Sequence, residues 1–367
     1  MKVLGIDTIL HDACAAVIEN GHKVLSNEVK HTIMSSDCLL DMPILHLKEL
    51  GLLIKNALKK ANCQMKDISL IAVNNFGSLF SNVAIGVSAA NVLAYLYDIP
   101  LIDVHHQEGH FFSNWLERGQ KEFQFPIIVL SSSGGHSSIV LIINHRLKFK
   151  EIWRIEGMKE KKKNKPNFRG IGALYGFVAN NLGLGGPIDS GSLISKTAKK
   201  GNPDCFNFSN CRQSSKIPNL DFTKLEESIA KVITKEKKKS KVLSSRFIAD
   251  LAASFEKTIS QIIIDNLVNL AKKYKVKEIH LVGGISANNN LRNKLCQQSK
   301  LDGFITRWPK KKEYSTDNAA MIANLGYWKY QLNPKRYLNQ RSISIRSNLK
   351  LENIAVSQFL EKNKELK

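Results

Sequence analysis

Short apolar runs alternate along the chain with longer segments in which apolar residues recur at helical spacing. The first run, KVLGIDT at residues 2–8, predicts a buried strand that ends in an acidic residue. The segments ACAAVIENG and HKVLSNEV predict a hairpin, because residues 19–21 (ENG) suit a tight turn. Helices are predicted at residues 42–62 and 82–96, and strands at SLIAVNN and IPLIDV. This part of the chain therefore predicts a hairpin followed by alternating helices and strands.

The same order of elements begins again after residue 124. The segment FPIIVLSSSGGHSSIVLIINHRLKFKEIWRI predicts three strands with a glycine turn, and EIHLVGG predicts a later strand. Helices are predicted at residues 172–182, at 244–274, from Asn288 onward and at 316–330. Two such units predict an α/β protein with the duplicated ribonuclease-H-like fold of actin, sugar kinases and Hsp70. In that two-lobed fold, a nucleotide lies in the interlobe cleft.

Domain boundaries follow from this order of elements. We expect a first lobe at residues 1–120 and a second lobe at residues 121–332. Beyond residue 333 the chain becomes polar and its apolar spacing weakens. Residues 333–367 are therefore predicted to form a polar C-terminal appendage.

The chain carries a large excess of positive charge. Its 54 lysine and arginine residues and 32 aspartate and glutamate residues give a formal net charge of +22. Such a charge favours binding to polyanions, above all nucleic acid, although the lysine-rich composition of an AT-rich genome would explain part of it. Lysines cluster at residues 159–165, 235–241 and 310–312. Because like charges repel, we expect these runs to lie in loops.

Other features of the composition restrict the class of protein. No stretch approaches the 18 or so consecutive apolar residues of a membrane helix, so no membrane association is expected. The N-terminus enters a strand pattern directly, without the layout of a signal peptide. The six cysteines include no C-x-x-C pair. These features predict a protein of the reducing cytoplasm.

The segment VHHQEGH at residues 104–110 suggests a metal site. If His106 begins a helix that runs to Trp115, His106 and His110 share one face at the spacing that two metal ligands need. Glu108 would lie roughly 200° around the helix from His106, so this is not the H-E-x-x-H site of a zinc protease. The alternative is that these histidines only cap or pack against the helix start.

Two glycine-containing turns suggest a site for an anionic ligand. The segment SSSGGHSS at residues 131–138 follows a strand, and paired glycines let backbone N–H groups approach phosphate or carboxylate oxygens. The segment HLVGGISANNNLR also leads from a strand into two glycines, and Ser286 or Asn288 is suited to cap the next helix. A turn without any ligand is the alternative for each.

The segment STDNAAMIA at residues 315–323 predicts the start of a helix. Thr316 or Asp317 is suited to cap it, and Asp317 is able to complete a metal site with the two histidines. Two histidines and one carboxylate leave coordination positions open, as a catalytic metal requires.

Five of these motifs together resemble one family. VHHQEGH, SSGGH, GGP, GGISANNNLR and STDNAAMIA occur in the order and approximate spacing of the TsaD family. Its members are tRNA adenosine threonylcarbamoyltransferases, which were once described as O-sialoglycoprotein endopeptidases. The resemblance covers about residues 1–330.

The resemblance implies an activity and a site. The chain would transfer the threonylcarbamoyl group from threonylcarbamoyl-AMP to N6 of the adenosine next to the anticodon of tRNA. One divalent metal, iron or zinc, would hold the threonylcarbamoyl group and polarise its carbonyl. The implied catalytic metal ligands are His106, His110 and Asp317. The residues implied to bind the adenylate are Ser131, Ser132, Ser133, Gly134, Gly135, Gly186 and Asn288.

The resemblance also implies partners. These are tRNA, an enzyme that forms the adenylate, and accessory proteins similar to TsaB and TsaE. On the resemblance, the first lobe carries the metal-binding helix and the second lobe carries the adenylate-binding turns.

The chain departs from the family pattern near the expected ribose site. The family motif G-E-A-F-D-K aligns with residues 172–177, so its ribose-binding aspartate falls on Gly176. Asp189 is one candidate to replace it. HDACAAVIENG and GALYGFVANNLG also resemble segments of O-carbamoyltransferases, which act through a carbamoyl-adenylate. Two alternatives therefore stay open, namely an O-carbamoyltransferase-like enzyme with a small-molecule acceptor and a non-catalytic scaffold subunit of the tRNA-modifying complex.

Overall fold

In a computed structural model the chain forms two compact units. Unit 1 contains Met1–Phe123, Ile143–Lys150 and the described residues from Pro309 onward, and unit 2 contains Gln124–Ile142 and Glu151–Trp308. The structure describes residues 1–9, 11–31, 42–132, 136–156, 170–185, 189–211, 218 and 220–347.

Unit 1 is built on a five-stranded mixed sheet. Its strands are β1 Lys2–Thr8, β2 Asp12–Glu19, β3 Lys23–His31, β4 Leu70–Phe76 and β5 Leu101–His105. Their order is β3-β2-β1-β4-β5. Strand β2 is antiparallel to β1 and β3, whereas β4 is parallel to β1 and β5 is parallel to β4. The predicted hairpin is confirmed, and its turn places Asn20 and Gly21 at positive φ.

The second sheet repeats this topology. Its strands are β6 Ile127–Ser132, β7 His136–Ile142, β8 Phe149–Glu156, β9 Glu278–Val282 and β10 Ile305–Arg307. Their order is β10-β9-β6-β7-β8, with β7 antiparallel to β6 and both β9 and β10 parallel to it. If the strands of each sheet are numbered 1 to 5 in chain order, both sheets have the strand order 3-2-1-4-5. The predicted duplicated ribonuclease-H-like α/β fold is therefore confirmed.

The helices of the described residues occupy the predicted positions with some additions. They are α1 Met42–Lys60, α2 Phe80–Leu96, α3 His106–Phe111, α4 Ile171–Asn181, α5 Ser190–Ala198, α6 Thr223–Lys239, α7 Ser245–Lys273, α8 Asn289–Leu301, α9 Ala319–Leu332 and α10 Pro334–Tyr337. Helices α5, α6 and α10 and strand β10 go beyond the predicted elements. None of the helices in this part of the chain has the length and apolar composition needed to cross a membrane.

Both faces of the first sheet are covered. Leu4 and Ile6 of β1 point into an apolar cluster with residues of α1 and α2. Gly5 lies on the opposite face, where a Cβ atom would come within 2.2 Å of the Ala319 carbonyl oxygen of α9. A Cβ at Gly326 of α9 would likewise come within 2.4 Å of Ala72 Cβ in β4. These glycines let α9 lie directly against the sheet, which fixes the start of that helix.

The structure corrects two of the predicted boundaries. The sequence predicts residues 121–123, 143–150 and 309–332 in the second lobe, but they belong to unit 1. For the last of these ranges the reason is that α9 packs on β1, β2 and β4. The segment after residue 333 is predicted to be an appendage, but its described part is bonded to unit 1. The Leu101 N–H donates to the Gln340 carbonyl at 2.8 Å, and Asn91 exchanges two hydrogen bonds with the backbone of Ile343. Residues 348–367 lie outside the described residues.

The structure also corrects the position of one lysine run. Lys235 and the lysines at 237–239 lie in the last turns of α6, not in a loop. Leu225, Ile229 and Ile233 are buried at four-residue spacing on this helix, which anchors it, and the lysines extend it into solvent. Basic side chains at a helix C-terminus also interact favourably with the helix dipole. The run at 159–165 lies outside the described residues.

Candidate metal centre

A short helix after β5 places the two histidines on one face. His105 ends the strand and caps α3, since its Nδ1 accepts the Gln107 N–H at 3.1 Å. His106 and His110 are therefore one helical turn apart, and their ring centroids lie 4.7 Å from each other. The helix ends at Phe111, earlier than the predicted Trp115. The predicted i,i+4 arrangement is present.

Asp317 meets the histidines from the segment before α9. The cap of α9 is Asn318, whose Oδ1 accepts the Met321 N–H at 3.0 Å, and not Thr316 or Asp317 as predicted. The carboxylate of Asp317 is therefore not used in capping. Its Oδ1 lies 3.2 Å from His106 Nε2 and 3.0 Å from His110 Nε2.

These three side chains fit a divalent metal ion. Their ligand atoms all lie within 4.8 Å of one another, and both histidines are buried. Metal–ligand bonds of about 2.0–2.1 Å at tetrahedral angles place neighbouring ligand atoms about 3.3 Å apart. The observed nitrogen–oxygen distances of 3.2 and 3.0 Å are close to that value, so each histidine nitrogen is placed to share a metal with Asp317. Metal binding by this set stays a prediction.

Carboxylates dominate the electrostatics of this cluster. Burial alone would lower the pKa of His106, but the carboxylates of Asp7 and Asp317 raise it to about 10. Burial would raise the pKa of Asp317, but His106 and His110 hold it well below its usual range. Without a metal, the cluster therefore holds a protonated His106 between two carboxylates.

A second carboxylate–histidine pair is formed by Asp12 and His31. Asp12 Oδ1 lies 2.6 Å from His31 Nδ1, and the His31 side chain is 59% exposed. Burial and the charge of Asp317 raise the pKa of Asp12 to about 6, although His31 opposes this shift. Asp12 therefore belongs to the electrostatic surroundings of Asp317 but does not contact the three candidate ligands.

Glu108 lies away from the histidine cluster, as helical periodicity predicts. It is fully buried, and its Oε2 lies 2.6 Å from Lys329 Nζ of α9. This pair ties the helix of the two histidines to the helix that follows Asp317. Glu108 therefore has a different position from the catalytic glutamate of a zinc protease.

Unit 2 holds the residues predicted to bind the adenylate. Ser131 and Ser132 end β6 and are buried, and Ser132 Oγ lies 2.9 Å from Ser137 Oγ. Gly283 has a φ of 75°, and a Cβ there would come within 2.5 Å of the Ser132 carbonyl oxygen. The end of β6 and the start of the turn after β9 therefore lie side by side. Ser133, Gly134, Gly135 and Gly186 lie outside the described residues.

Asn288 is the cap of α8, as predicted. Its Oδ1 accepts the Leu291 N–H at 3.0 Å, and its Nδ2 donates to Glu256 at 3.0 Å and to the Tyr175 hydroxyl at 3.3 Å. A ligand contact by this amide would share or replace one of these bonds.

Glu256 is a member of this region that the sequence motifs do not include. It is 5% exposed and accepts hydrogen bonds from Ser195, Asn288 and Asn290. The only sequence signal is one acidic residue within the largely apolar segment LAASFEKTISQIII of α7. Asp189, the predicted substitute for the family aspartate, is exposed at the start of α5.

The two repeated sheets define a ribonuclease-H-like α/β protein, and two histidines with one carboxylate are typical of an enzyme with an open metal site. The sequence comparisons specify this class further. The chain belongs to the TsaD family, because the family model of tRNA N6-adenosine threonylcarbamoyltransferase matches residues 44–324. The predicted family resemblance is thereby confirmed.

Individual relatives agree with this assignment. A tRNA N6-adenosine threonylcarbamoyltransferase of Listeria welshimeri is 33% identical over 330 residues, covering 88% of this chain and 90% of that protein. One of Thermosipho melanesiensis is 34% identical over 332 residues, covering 89% and 94%. A structure of full-length HypF in the phosphate- and nucleotide-bound form matches with a TM-score of 0.50 at 13% identity. That match covers 90% of this chain and 46% of HypF and shows similarity of fold alone.

Proposed function

We propose that this chain transfers a threonylcarbamoyl group from threonylcarbamoyl-AMP to N6 of the adenosine next to the anticodon of tRNA. Membership of the TsaD family supports a transferase that acts on tRNA. The observation that carries the proposal is the meeting of His106 and His110 with Asp317, which lies 207 residues beyond His110 in the chain. A protein that served only as a scaffold would have no need of this polar, buried cluster.

In this proposal the three side chains hold iron or zinc. When bound there, such a metal supplies Lewis-acid polarisation of a carbonyl oxygen. The two Nε2 atoms and the Asp317 carboxylate would hold the ion and leave coordination positions open for the acyl group and water. The burial of both histidines keeps solvent from their side of the site.

The adenylate is proposed to bind to unit 2. Ser131 and Ser132 contribute hydroxyl groups at the end of β6, and the turn after β9 contributes backbone N–H groups. Asn288 lies at the end of that turn. Ser133, Gly134, Gly135 and Gly186 remain part of the proposal, which rests for them on the family motifs.

The net charge of +22 supports tRNA as the acceptor, because a small neutral acceptor would gain little from it. The proposal includes an adenylate-forming enzyme and accessory proteins similar to TsaB and TsaE. It also includes a cytoplasmic location, where tRNA and ATP are present.

Reconstitution with nucleoside analysis tests the proposal. The protein is incubated with tRNA, threonine, bicarbonate, ATP and an adenylate-forming enzyme, and nucleosides are then analysed by mass spectrometry. We expect threonylcarbamoyladenosine with the wild type and none with His110→Ala. Carbamoylation of a small molecule without any modified tRNA would instead support the O-carbamoyltransferase alternative.

A further inference from the structure

Asp7 contacts the metal cluster from a strand of the sheet. It lies near the end of β1, is fully buried, and places its Oδ2 2.9 Å from His106 Nδ1. We infer that Asp7 is a positioning residue that holds His106 with its proton on Nδ1 and its Nε2 lone pair directed to the metal. This inference rests on the proposed metal site and adds a residue that the ligand set does not include.

The two nitrogens of His106 face different partners. Nδ1 faces Asp7, whereas Nε2 faces Asp317 at 3.2 Å. A neutral imidazole carries one proton, and only its unprotonated nitrogen is able to bind a metal. Since an ionised carboxylate accepts hydrogen bonds and cannot donate one, Asp7 selects the tautomer that leaves Nε2 free.

His110 has no comparable support. Its Nδ1 is buried and has no hydrogen-bond partner among the described residues, although its Nε2 lies 3.0 Å from Asp317. His106 is thus the histidine whose orientation is set in advance by a carboxylate. We expect the metal affinity to depend more strongly on this contact than on any other polar contact outside the ligand set.

The sheet holds Asp7 firmly in place. β1 is an inner strand, and Asp7 is paired in register with Cys14 of β2. The next residue, Thr8, donates its hydroxyl to the Asn82 carbonyl of α2 at 2.8 Å. The carboxylate therefore has little freedom to move away when a metal binds, which is what a positioning role requires.

The chain offers a matched control for charge. Asp12 is also a buried carboxylate within the electrostatic reach of Asp317, and it is also bonded to a histidine. That histidine is His31, which is not a candidate ligand. Asp7→Asn and Asp12→Asn each remove one negative charge near the cluster, but only the first changes the bond to His106.

The test measures zinc affinity, with Zn²⁺ alone and a competing chelator, for the wild type and both variants. We expect Asp7→Asn to bind zinc about 10–100-fold more weakly than Asp12→Asn. Equal affinities of the two variants, with zinc still bound by the wild type, would overturn the inference and leave the proposed function intact. A wild type that binds no zinc, and no iron(II) in the same assay, would overturn the metal site and the inference together.

A second measurement needs no variant of Asp7. In zinc-loaded wild type labelled with ¹⁵N-histidine, nitrogen chemical shifts report which ring nitrogen carries the proton, and His106→Gln assigns the signal. We expect a protonated Nδ1 and a metal-bound Nε2 in His106. A metal-bound Nδ1 would overturn the inference even if Asp7→Asn failed to fold.

Discussion

The two units share one sheet topology but differ in the side chains at equivalent places. The first strand of unit 1 ends in Asp7-Thr8, and the first strand of unit 2 ends in Ser131-Ser132. The first position therefore provides a charged group for a histidine, whereas the second provides hydroxyl groups. The repeated scaffold therefore fixes where a site forms, while a few residues at the strand ends fix its chemistry.

The difference continues at the helices next to these strand ends. In unit 1, the segment before α9 contributes the Asp317 carboxylate, which contacts both histidines. In unit 2, the turn before α8 contributes Asn288, an amide whose three hydrogen bonds are made within the unit. The candidate metal ligands consequently belong to unit 1, and the neutral donors belong to unit 2.

The largest expected effect is loss of the metal from unit 1. His110→Ala removes one of three ligands, so stoichiometric iron or zinc should disappear in elemental analysis. His31→Ala is the control, because His31 is bonded to Asp12 and is not a candidate ligand. Equal metal content in His110→Ala and the wild type would show that the ion, if any, binds elsewhere.

The second prediction concerns pH. Because the pKa of His106 is raised from 6.5 to about 10, the metal-free site carries a proton there that a metal must displace. Zinc affinity should therefore rise by about tenfold per pH unit between pH 7 and 9. The same proton stabilises the metal-free fold fully below pH 6.5, and this contribution is lost as the pH rises through 10. Calorimetry in two buffers should detect release of about one proton, and an affinity independent of pH would contradict the account.

A third prediction separates unit 2 from unit 1. In Gly283→Ala, the added Cβ atom would lie 2.5 Å from the Ser132 carbonyl oxygen. The alanine would also be strained by the φ of 75° at this position. Gly303→Ala is the matched control, because its φ is 77° but nothing lies within 4 Å. The control should lower the free energy of unfolding by about 1–2 kcal/mol, and Gly283→Ala by more. Adenylate affinity should fall only in Gly283→Ala, while metal content stays unchanged in both. If Gly283→Ala and Gly303→Ala lose the same free energy of unfolding, the backbone around Gly283 moves to accommodate the Cβ atom without further cost.

The smallest effect is expected from the lysines of α6. Lys235, Lys237 and Lys238 are exposed, and their joint change to Gln should weaken the binding of all tRNAs similarly. The dependence of affinity on salt should also become shallower, by roughly 0.9 in the log–log slope for each duplex phosphate that the variant no longer neutralises. Changing the exposed Lys55, Lys59 and Lys66 of unit 1 to Gln removes the same charge from another surface. If both triple variants change the slope equally, the α6 lysines have no specific part in binding.

The strands and long helices could be predicted from the sequence because their patterns are local. β1 is buried along nearly its whole length, and α7 carries apolar residues over many turns. α6 has buried residues at regular spacing, but the lysine run at its end favours a loop when only charge repulsion is considered. The start of α9 could not be placed to the residue, because Ser315, Thr316, Asp317 and Asn318 are all residues that cap helices well.

The site was predictable only in part. The spacing of His106 and His110 is contained in one helix, so sequence was sufficient to pair them. Asp7 and His106 are 99 residues apart, and their contact depends on the pairing of strands. Glu256 resembles any single acidic residue on a helix until the fold buries it. Long-range contacts of this kind leave no local pattern in the sequence.

The most direct test of the central claim is transfer from supplied threonylcarbamoyl-AMP to unmodified tRNA, measured in a single turnover. The reaction compares wild type, wild type stripped by a chelator, stripped protein with zinc or iron restored, and His110→Ala. The account predicts modified adenosine with the wild type and the restored protein, and at most traces with the other two. Equal transfer by wild type and His110→Ala would contradict the claim that the cluster of His106, His110 and Asp317 carries the reaction.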